Sequence, residues 1–241
     1  MPAKRFFTPT SLHHDTVLLS GEELHHLSVM RLRPQDPLEL VNGLGELASG
    51  VILSLDKERA TIKITHYHQE PPSHPSLILA QALPKLPLLE WIIEKGCELN
   101  VSEFWLFPGD LSEKKELSST QQIRLNALLI SALKQCGRLW LPKILIKPPL
   151  KKWVAHSGTL LFGDLSPEAQ PLSAPFVEPI AICIGPEKGF SSSEKSLLKD
   201  TLKAQGVRLH TNILRTETAG LVALSQLYLL LPDLGDHHHV S

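Results

Sequence analysis

The chain has 241 residues, of which 42% are hydrophobic and 20% are charged, and its formal net charge is −1. This balance is typical of a globular protein with one large domain or two unequal ones, and the near-neutral charge neither supports nor excludes a nucleic-acid partner. No apolar stretch reaches the roughly 18 residues that a membrane span needs, and the N-terminus lacks the apolar segment of a signal peptide. We therefore expect a cytoplasmic protein with no membrane partner.

The cysteines and histidines do not indicate a disulfide framework or a metal site. The three cysteines are far apart and lack CxxC spacing, which is typical of small buried side chains in a reduced compartment. Histidines occur as adjacent pairs, such as His25-His26, and as the terminal run 237–239, where a disordered tail is expected. Neighbouring residues point in different directions and rarely share one ion, so the sequence predicts no metal.

The first 70 residues predict a small β-rich domain. The predicted strands are 38–41, 51–53 and 60–64. The first of them runs into Asn42-Gly43, which is a strong hairpin signal. A short helix over 22–30 is expected to carry the pair His25-His26. Three closely spaced prolines then favour an extended linker over 71–76.

Beyond the linker, the pattern alternates between apolar strands and amphipathic helices. Buried strands are predicted over 104–107, 144–146, 159–162 and 180–184, 77–80 is a short apolar run, and 207–209 is strand-like. The predicted helices are one that begins near Pro87, one that is capped by Thr120 and ends at Gly137, and a last one over 221–231 before Pro232. Such an alternation indicates a mainly parallel sheet covered on both faces, whose ligands bind beyond the carboxyl ends of the strands.

One stretch of the sequence is strongly basic. Residues 134–152 include six basic side chains and no acidic one, with Trp140 and Trp153 in or beside the run. Clustered cations can hold phosphate, and an indole face can stack on a base. A solvated face beside a buried strand explains the same composition, so both interpretations stay open.

Two segments that follow predicted strands carry the polar chemistry. In the first, 182–194, a strand ends at Gly185, and Gly185 and Gly189 allow a ligand to approach the main chain closely. Ser191 and Glu194 have the spacing of a capping box, which predicts the start of a helix. An ordinary strand-to-helix turn would have the same composition.

The second segment, 209–220, places four polar residues in a row before the last helix. Thr216 or Thr218 could cap that helix, and Glu217 would complement its dipole. A cation is disfavoured at a helix N-terminus. Arg215 is therefore expected to pair with Glu217 or with a bound anion.

These two segments, GPEKGFSSSE at 185–194 and ILRTETA at 213–219, resemble the RsmE family of SPOUT methyltransferases. The resemblance extends to RFF at 5–7, HHLSVMR at 25–31, QALPK at 81–85, IIEKGCELNV at 92–101 and KQCGR at 134–138. It implies an α/β SPOUT domain with a deep trefoil knot, preceded by a small PUA-like β-barrel domain. The implied boundaries are 1–70 for the RNA-binding domain, 71–76 for the linker and 77–241 for the methyltransferase domain.

The resemblance also implies the reaction. Members of the family methylate N3 of a uridine in 16S ribosomal RNA of the small subunit, with S-adenosylmethionine as the donor. They are homodimers whose active site forms beside the knot. By position, the cofactor would bind at Leu161, Phe162, Gly163, Ile184, Gly185, Pro186, Glu187, Gly189, Leu209, Ile213, Leu214, Arg215 and Thr216.

Further residues are implied for catalysis and for RNA binding. Glu217 is the candidate base for the N3 proton, although a role at the helix start explains it equally well. Arg215 and Arg138 would hold phosphate or the uracil oxygens. The RNA would be bound by Arg5, His25, His26, Arg31, Lys85, Gln135 and Arg138.

Three departures from the family's pattern leave alternatives open. Lys188 and Asn100 stand where the family has glycine, and 209–215 lacks a glycine and the first arginine. A non-catalytic RNA-binding protein with a degenerate pocket is one alternative, and a SPOUT enzyme acting on another rRNA base or on a tRNA is another. A dehydrogenase is disfavoured, because no G-x-G-x-x-G follows the first strand after the linker.

Overall fold

The structure is a computed structural model that describes residues 4–72 and 76–231. The chain forms two compact units. The first consists of the residues up to Pro72 together with Ile130–Leu141, and the second contains the remainder. Residues 73–75 of the predicted linker, Pro232 and the histidine run 237–239 lie outside the described residues.

The first unit is a five-stranded sheet with one helix. Its elements are β1 (Arg5–Phe7), β2 (Thr16–Leu19), α1 (Gly21–Val29), β3 (Pro37–Val41), β4 (Glu46–Leu55) and β5 (Ala60–Gln69). The strand order is β1-β3-β4-β5-β2, and the pairs are antiparallel except for β1 with β3. The predicted hairpin is confirmed, because Asn42 Oδ1 accepts hydrogen bonds from the backbone N–H groups of Leu44 and Glu46 at 2.9 and 3.3 Å.

The second unit contains a seven-stranded parallel sheet. Its elements are β6 (Leu77–Ala82), α2 (Leu86–Glu98), β7 (Glu103–Phe107), β8 (Lys143–Ile146), β9 (Leu160–Gly163), β10 (Gln170–Pro171), β11 (Ile180–Ile184), α4 (Ser192–Ser196), β12 (Gln205–Arg208), α5 (Thr216–Leu230) and the first part of α3 (Ser119–Cys136). The order is β10-β12-β9-β11-β6-β7-β8. The predicted parallel sheet is confirmed, since every neighbouring pair is parallel.

Position in the sheet decides how deeply each strand is buried. The central strands β6 and β11 are buried at every residue, as their continuous apolar sequences predict. The prediction that 144–146 is a buried strand is wrong. β8 lies at the edge of the sheet, where Leu145 and Ile146 are 37% and 48% exposed. An apolar run cannot by itself distinguish a central strand from an edge strand.

An asparagine ends α2 at a position that requires a left-handed backbone. Asn100 has φ 63°, its N–H bonds to the carbonyl of Cys97, and the N–H of Val101 bonds to the carbonyl of Gly96. This pair of bonds is a Schellman motif with Asn100 at the left-handed position. Asparagine tolerates this conformation better than other residues with a side chain, so replacing the family's glycine here preserves the turn.

The N-cap of α3 differs from the predicted one. Thr120 lies inside the helix, which begins at Ser119. Ser118 Oγ accepts from the N–H of Gln121 at 3.3 Å, and Gln121 Oε1 accepts from the N–H of Ser118 at 3.1 Å. This reciprocal pair is a capping box. Gly137 ends the helix with φ 89°, as predicted.

We predict that Ser118→Ala lowers the free energy of unfolding by about 1 kcal/mol, because the N–H group of Gln121 at the start of α3 loses its acceptor, Ser118 Oγ. Thr120→Ala is the matched control and should change that free energy by about 0.5 kcal/mol or less. Urea unfolding of both variants measures the difference. A larger loss in Thr120→Ala than in Ser118→Ala would contradict this assignment of the cap.

Candidate active site

A cleft of about 400 Å³ opens where β9, β11 and β12, which are neighbours in the sheet, reach their carboxyl ends. It is lined by 163–165, 184–190, Lys195, 207–214, Thr216 and Ala219. Sites for organic ligands typically have volumes of roughly 300–1,000 Å³. The cleft therefore has both the position and the size expected of a ligand site in a parallel sheet.

A tight turn after β11 forms one wall of the cleft. The N–H of Gly189 donates to the carbonyl of Pro186 at 2.8 Å, and Gly189 has φ 72°, which favours glycine. A Cβ atom on Gly185 would lie only 3.0 Å from the backbone of Gly189 and Phe190. Both glycines are therefore required by the backbone of the turn itself.

The structure accommodates two of the departures from the family's glycines without strain. Among the described non-glycine residues, only Arg31, Gln35, Asn100 and Lys203 have a positive φ. Lys188 and His210 are not in this set, so both adopt backbone conformations that any residue can reach. Both side chains are exposed at the lining of the cleft, where they add polar groups.

A hydrogen-bond network joins the end of β11 to the start of α5. Thr216 Oγ1 donates to the carbonyl of Gly185 at 2.6 Å. The fully buried amide Nε2 of Gln81 lies 3.0 Å from Thr216 Oγ1 and 3.3 Å from the Gly185 carbonyl oxygen. Gln81 belongs to QALPK but was not predicted as a site residue, because nothing in the local sequence indicates which partners its amide would meet.

The same network corrects the prediction for the last helix. α5 begins at Thr216 rather than at 221, and its N-cap is Arg215, which makes no side-chain capping bond. The predicted caps Thr216 and Thr218 are therefore wrong. The hydroxyl of Thr216 is committed to the strand end, and Thr218 lies within the helix.

The loop between β12 and α5 forms the opposite wall. Gln226 Nε2, from α5, donates to the carbonyl of Leu209 at 2.9 Å, and His210 Nδ1 accepts from the N–H of Asn212 at 3.0 Å. Ile213 lies on this wall and is 81% exposed. An apolar side chain so exposed at a cleft provides a surface on which an apolar part of a ligand can pack.

Asp164 lines the cleft directly after β9 and was not predicted as a site residue. Its carboxylate accepts from Lys199 Nζ at 2.8 Å and from Ser166 Oγ at 2.8 Å. Burial of the carboxyl opposes ionisation, but these bonds together hold the pKa of Asp164 below its usual value. The residue is therefore an anion that keeps β9's end in place.

The capping box predicted at the start of α4 is confirmed and connects to another loop. Ser191 and Glu194 bond reciprocally, and Ser191 Oγ also donates to Asp110 Oδ2 at 2.7 Å. The N–H of Asp110 donates to Glu194 Oε1 at 3.0 Å. The hydrogen bond from Ser191 contributes most to lowering the pKa of Asp110, so this carboxyl stays ionised. α4 continues into a π-helical turn at Leu197–Thr201 rather than a longer regular helix.

The structure places the predicted cofactor residues in two groups. Those that line the cleft are Gly163, Ile184, Gly185, Pro186, Glu187, Gly189, Leu209, Ile213, Leu214 and Thr216. Leu161 and Phe162 are buried within β9 and do not line it, and Arg215 is exposed beside it. The remaining lining residues directly follow β9, β11 and β12. Their position after predicted strands is therefore the sequence signal from which they could have been predicted.

The catalytic candidates do not form the expected ion pair. Arg215 is exposed, Glu217 is half-buried in the first turn of α5, and the described residues show no salt bridge between them. Both flank Thr216, which lines the cleft. Arg138 belongs to the stretch Ile130–Leu141 of the first unit.

A second, more open pocket of about 300 Å³ lies in the first unit. It is lined by Lys4, Arg5, His26, Met30, Ser131, Lys134 and Gln135, which include three of the predicted RNA-binding residues. Arg5 pairs with Glu39 at 2.8 Å, yet its Nη1 is buried without a hydrogen-bond partner.

The other predicted RNA-binding residues lie elsewhere. His25 is exposed on α1, and Arg31 has φ 55° in a Schellman motif after α1. Lys85 is the N-cap residue of α2, and its N–H donates to Glu187 Oε1 at 3.0 Å. Arg138 also lies outside the lining of this pocket.

The described residues contain neither a metal-binding cluster nor a membrane-spanning helix. No group of three or more histidine, cysteine or acidic side chains could hold a metal ion among residues 4–72 and 76–231. No helix in these ranges is long and apolar enough to cross a membrane.

Cys97 and Cys183 are buried, and burial raises the pKa of Cys183 to about 12. That thiol is therefore not a nucleophile at neutral pH.

Two family models match the chain. A model described as an RNA methyltransferase domain covers residues 71–228, which is more than half of the chain, and one described as an RNA methyltransferase PUA domain covers residues 19–65. Among similar curated proteins, the ribosomal RNA small subunit methyltransferase E of Buchnera aphidicola subsp. Acyrthosiphon pisum is 29% identical and covers 89% of this chain and 88% of its own. The Bacillus subtilis protein of the same name is also 29% identical, over 88% of this chain and 89% of its own.

Solved structures give the same result. A ribosomal RNA small subunit methyltransferase E from Neisseria gonorrhoeae, bound to S-adenosyl methionine, superimposes with a TM-score of 0.86 at 25% identity, over 95% of this chain and 98% of that one. A probable rRNA-methyltransferase from Porphyromonas gingivalis superimposes with a TM-score of 0.78 at 28% identity. The match covers 94% of this chain and 98% of that one. The chain therefore belongs to the RsmE family of RNA methyltransferases, which combines a PUA-like domain with a SPOUT α/β domain.

Proposed function

We propose that this chain transfers a methyl group from S-adenosylmethionine to N3 of a uridine in 16S ribosomal RNA of the small subunit. The observation that most strongly supports this proposal is the cleft at the carboxyl ends of β9, β11 and β12, whose glycine turn is intact. The relatives' names, which specify small-subunit rRNA, and the S-adenosyl methionine bound to a structure of TM-score 0.86 support the same reaction.

The residues of the cleft fit the proposed cofactor. Gly189 leaves the main chain of the turn open to close approach, because no atom lies within 4 Å of where its Cβ would be, and Ile213 offers an exposed apolar side chain on the facing wall. Main-chain groups on one wall and an apolar surface on the other suit a ligand with an amino-acid end and an adenine ring. When bound, S-adenosylmethionine supplies a sulfonium methyl group that is already reactive towards nitrogen.

The contribution of the protein is therefore mainly positional. The network of Gln81, Gly185 and Thr216 fixes one wall of the cleft relative to α5, so it holds Arg215 and Glu217 at a defined place beside it. Uracil N3 carries a proton that must leave before or during transfer. We assign its removal to the carboxylate of Glu217, and to Arg215 the role of favouring the uracil anion.

The first unit is proposed to hold the RNA. Its pocket combines the buried, unpartnered Nη1 of Arg5 with His26 and Gln135. Lys134 Nζ forms an ion pair with Glu23 Oε1 at 2.5 Å, so part of the positive charge of the pocket is already neutralised. We propose that Arg5, His26 and Gln135 supply the polar contacts to a phosphate or a base edge. His25, Arg31, Lys85 and Arg138 stay predicted RNA contacts, and boundaries at 1–70, 71–76 and 77–241 remain the proposed domain division.

We also propose a homodimer and a cytoplasmic location. The helix pair α2 and α5 is in contact and leaves Trp91, Tyr228 and Leu229 exposed by 50%, 38% and 78%. Large exposed apolar side chains can mark a protein interface, and a second copy of the chain is the occupant that the family resemblance implies. The location follows from the proposed ribosomal RNA substrate.

Calorimetric titration with S-adenosylmethionine tests the cofactor site. We expect saturable binding by the wild type and a loss of about tenfold or more in Gly185→Ala, because the added Cβ would force the backbone of Gly189 and Phe190 to move. Lys188→Gly is the control in the same turn, and it should leave the affinity nearly unchanged, since Lys188 has an unstrained backbone. A folded wild type without measurable binding would instead favour the non-catalytic RNA-binding alternative.

Turnover of Glu217→Gln tests the proposed base. We expect kcat to fall by about a hundredfold or more, because general base catalysis typically contributes this much, while the affinity for S-adenosylmethionine stays within about twofold. Glu168→Gln, at an exposed carboxylate outside the cleft lining, is the matched control. Near-normal turnover by a folded Glu217→Gln enzyme would leave Glu217 with a helix-start role only.

Sedimentation equilibrium tests the dimer. The wild type should have twice the 26.7 kDa mass of one chain, and Leu229→Glu should shift it towards the monomer, because burying the new charge is costly. Ile123→Glu is the control, since Ile123 is 71% exposed on α3 and outside the proposed interface. A wild type that sediments as a single chain at high concentration would refute the proposal.

A further inference from the structure

The basic run of the sequence becomes a defined surface in the second unit, next to β8. Four of its lysines belong to this unit: Lys143, Lys147, Lys151 and Lys152. No acidic residue occurs between Glu116 and Asp164 in the sequence, and in the sheet Glu103 of β7 is the register partner of Lys143. Lys143, Lys151 and Lys152 are exposed.

Two tryptophans lie among these lysines. Lys147 Nζ is 4.4 Å from the ring centroid of Trp105 and 5.9 Å from that of Trp153, and the two indoles meet edge to face at 5.6 Å. The cation–π contacts hold the ammonium of Lys147 over the indoles, so less side-chain entropy is lost when it binds an anion. We call Lys143, Lys147, Lys151, Lys152, Trp105 and Trp153 the lysine–tryptophan surface.

The indole N–H groups already have partners within the protein. Trp105 Nε1 donates to Glu103 Oε2, and Trp153 Nε1 donates to the carbonyl of Pro148, both at 2.8 Å. Both indoles also pack in part against the core, Trp105 beside His156 and Trp153 beside Phe107, so a ligand can contact only the part of each ring that stays exposed. Ring contacts of this kind are the chemistry by which proteins stack on unpaired bases.

Protection of the sheet edge explains only part of the charge. Lysines on an edge strand prevent further strands from pairing with it, and Lys143 and Lys147 lie in or beside the edge strand β8. Lys151 and Lys152 lie beyond the strand, on a 3₁₀ turn at Leu150–Lys152. Edge protection gives no reason for these two exposed cations.

The 3₁₀ turn is fixed to the core beside the cleft. Leu150 is 2% exposed and packs in the same core cluster as Phe190 and Leu198, and Phe190 lines the cleft. The 3₁₀ turn that carries Lys151 and Lys152 is therefore anchored on the same core cluster as Phe190 of the cleft wall.

From this arrangement we infer that the lysine–tryptophan surface binds a single-stranded segment of the RNA substrate flanking the target base. This inference rests on the proposed function. RNA is the occupant that the chemistry favours, because the lysines match the phosphates and the indoles match unpaired bases. The surface would thus guide the strand towards the cleft, independently of the pocket in the first unit.

The salt dependence of RNA binding tests the inference. The full-length protein is titrated with a fluorescein-labelled short single-stranded RNA of mixed sequence, and anisotropy gives the affinity at several salt concentrations. Removing two phosphate contacts in Lys151→Gln/Lys152→Gln should reduce the slope of log affinity against log salt by about 1.4. The affinity loss between about 50 and about 200 mM salt should then be about sevenfold smaller than in the wild type.

Two control variants distinguish the effect of removing charge at this surface from the effect of removing charge in general. Lys151→Arg/Lys152→Arg keeps both cations and should keep the wild-type slope. Lys57→Gln/Lys203→Gln removes the same charge from exposed positions outside both the surface and the pocket, and it should also keep the slope. A slope in Lys151→Gln/Lys152→Gln equal to that of the Lys57/Lys203 variant would overturn the inference.

The two proposals fail in different ways. If the wild type bound RNA with the expected slopes but transferred no methyl group, the surface would stand and the catalytic proposal would fall. If methyl transfer proceeded but the slopes of the variants were equal, the catalytic proposal would stand and the surface would fall. Calorimetry with S-adenosylmethionine on each variant verifies that the cleft is intact.

Discussion

The hydrogen bonds of Gln81 hold together the three elements on which the site depends. Gln81 is in β6, its amide Nε2 reaches the end of β11 at Gly185, and the same nitrogen is 3.0 Å from the Thr216 hydroxyl at the start of α5. Its Oε1 is buried without a partner, which costs roughly 1–3 kcal/mol. The bonds on the donor side offset this cost and fix the mouth of the cleft.

Backbone geometry explains which glycines the chain keeps and which it replaces. Gly185 is kept because the backbone of Gly189 and Phe190 passes 3.0 Å from where a Cβ would lie, and Gly189 is kept because its φ is 72°. Lys188 and His210 occupy family glycine positions that need no left-handed backbone. Asn100 occupies one that does, and asparagine is the substitute best suited to it. The departures therefore leave the backbone of the cleft unchanged.

Positive charge occurs at two surfaces, each of which could bind RNA. In the first unit, the pocket has an orphaned Arg5 donor, while Glu39 and Glu23 neutralise much of the surrounding positive charge. In the second unit, exposed lysines lie in a stretch without acidic residues. A net charge of −1 conceals this asymmetry, because the total averages over the whole chain.

The sequence by itself determined the parallel sheet, the hairpin at Asn42-Gly43, the capping box at Ser191 and the two segments that line most of the cleft, because each is encoded in local periodicity or in turn residues. Only the tertiary structure decided that β8 is an edge strand, that Ser118 caps α3, that Thr216 bonds to Gly185, and that Asp164 lies at the cleft. The physical reason is that edge position and hydrogen-bond partners depend on residues distant in the sequence. Gln81 and Thr216 are separated by 135 positions, and no local pattern can specify that their side chains meet.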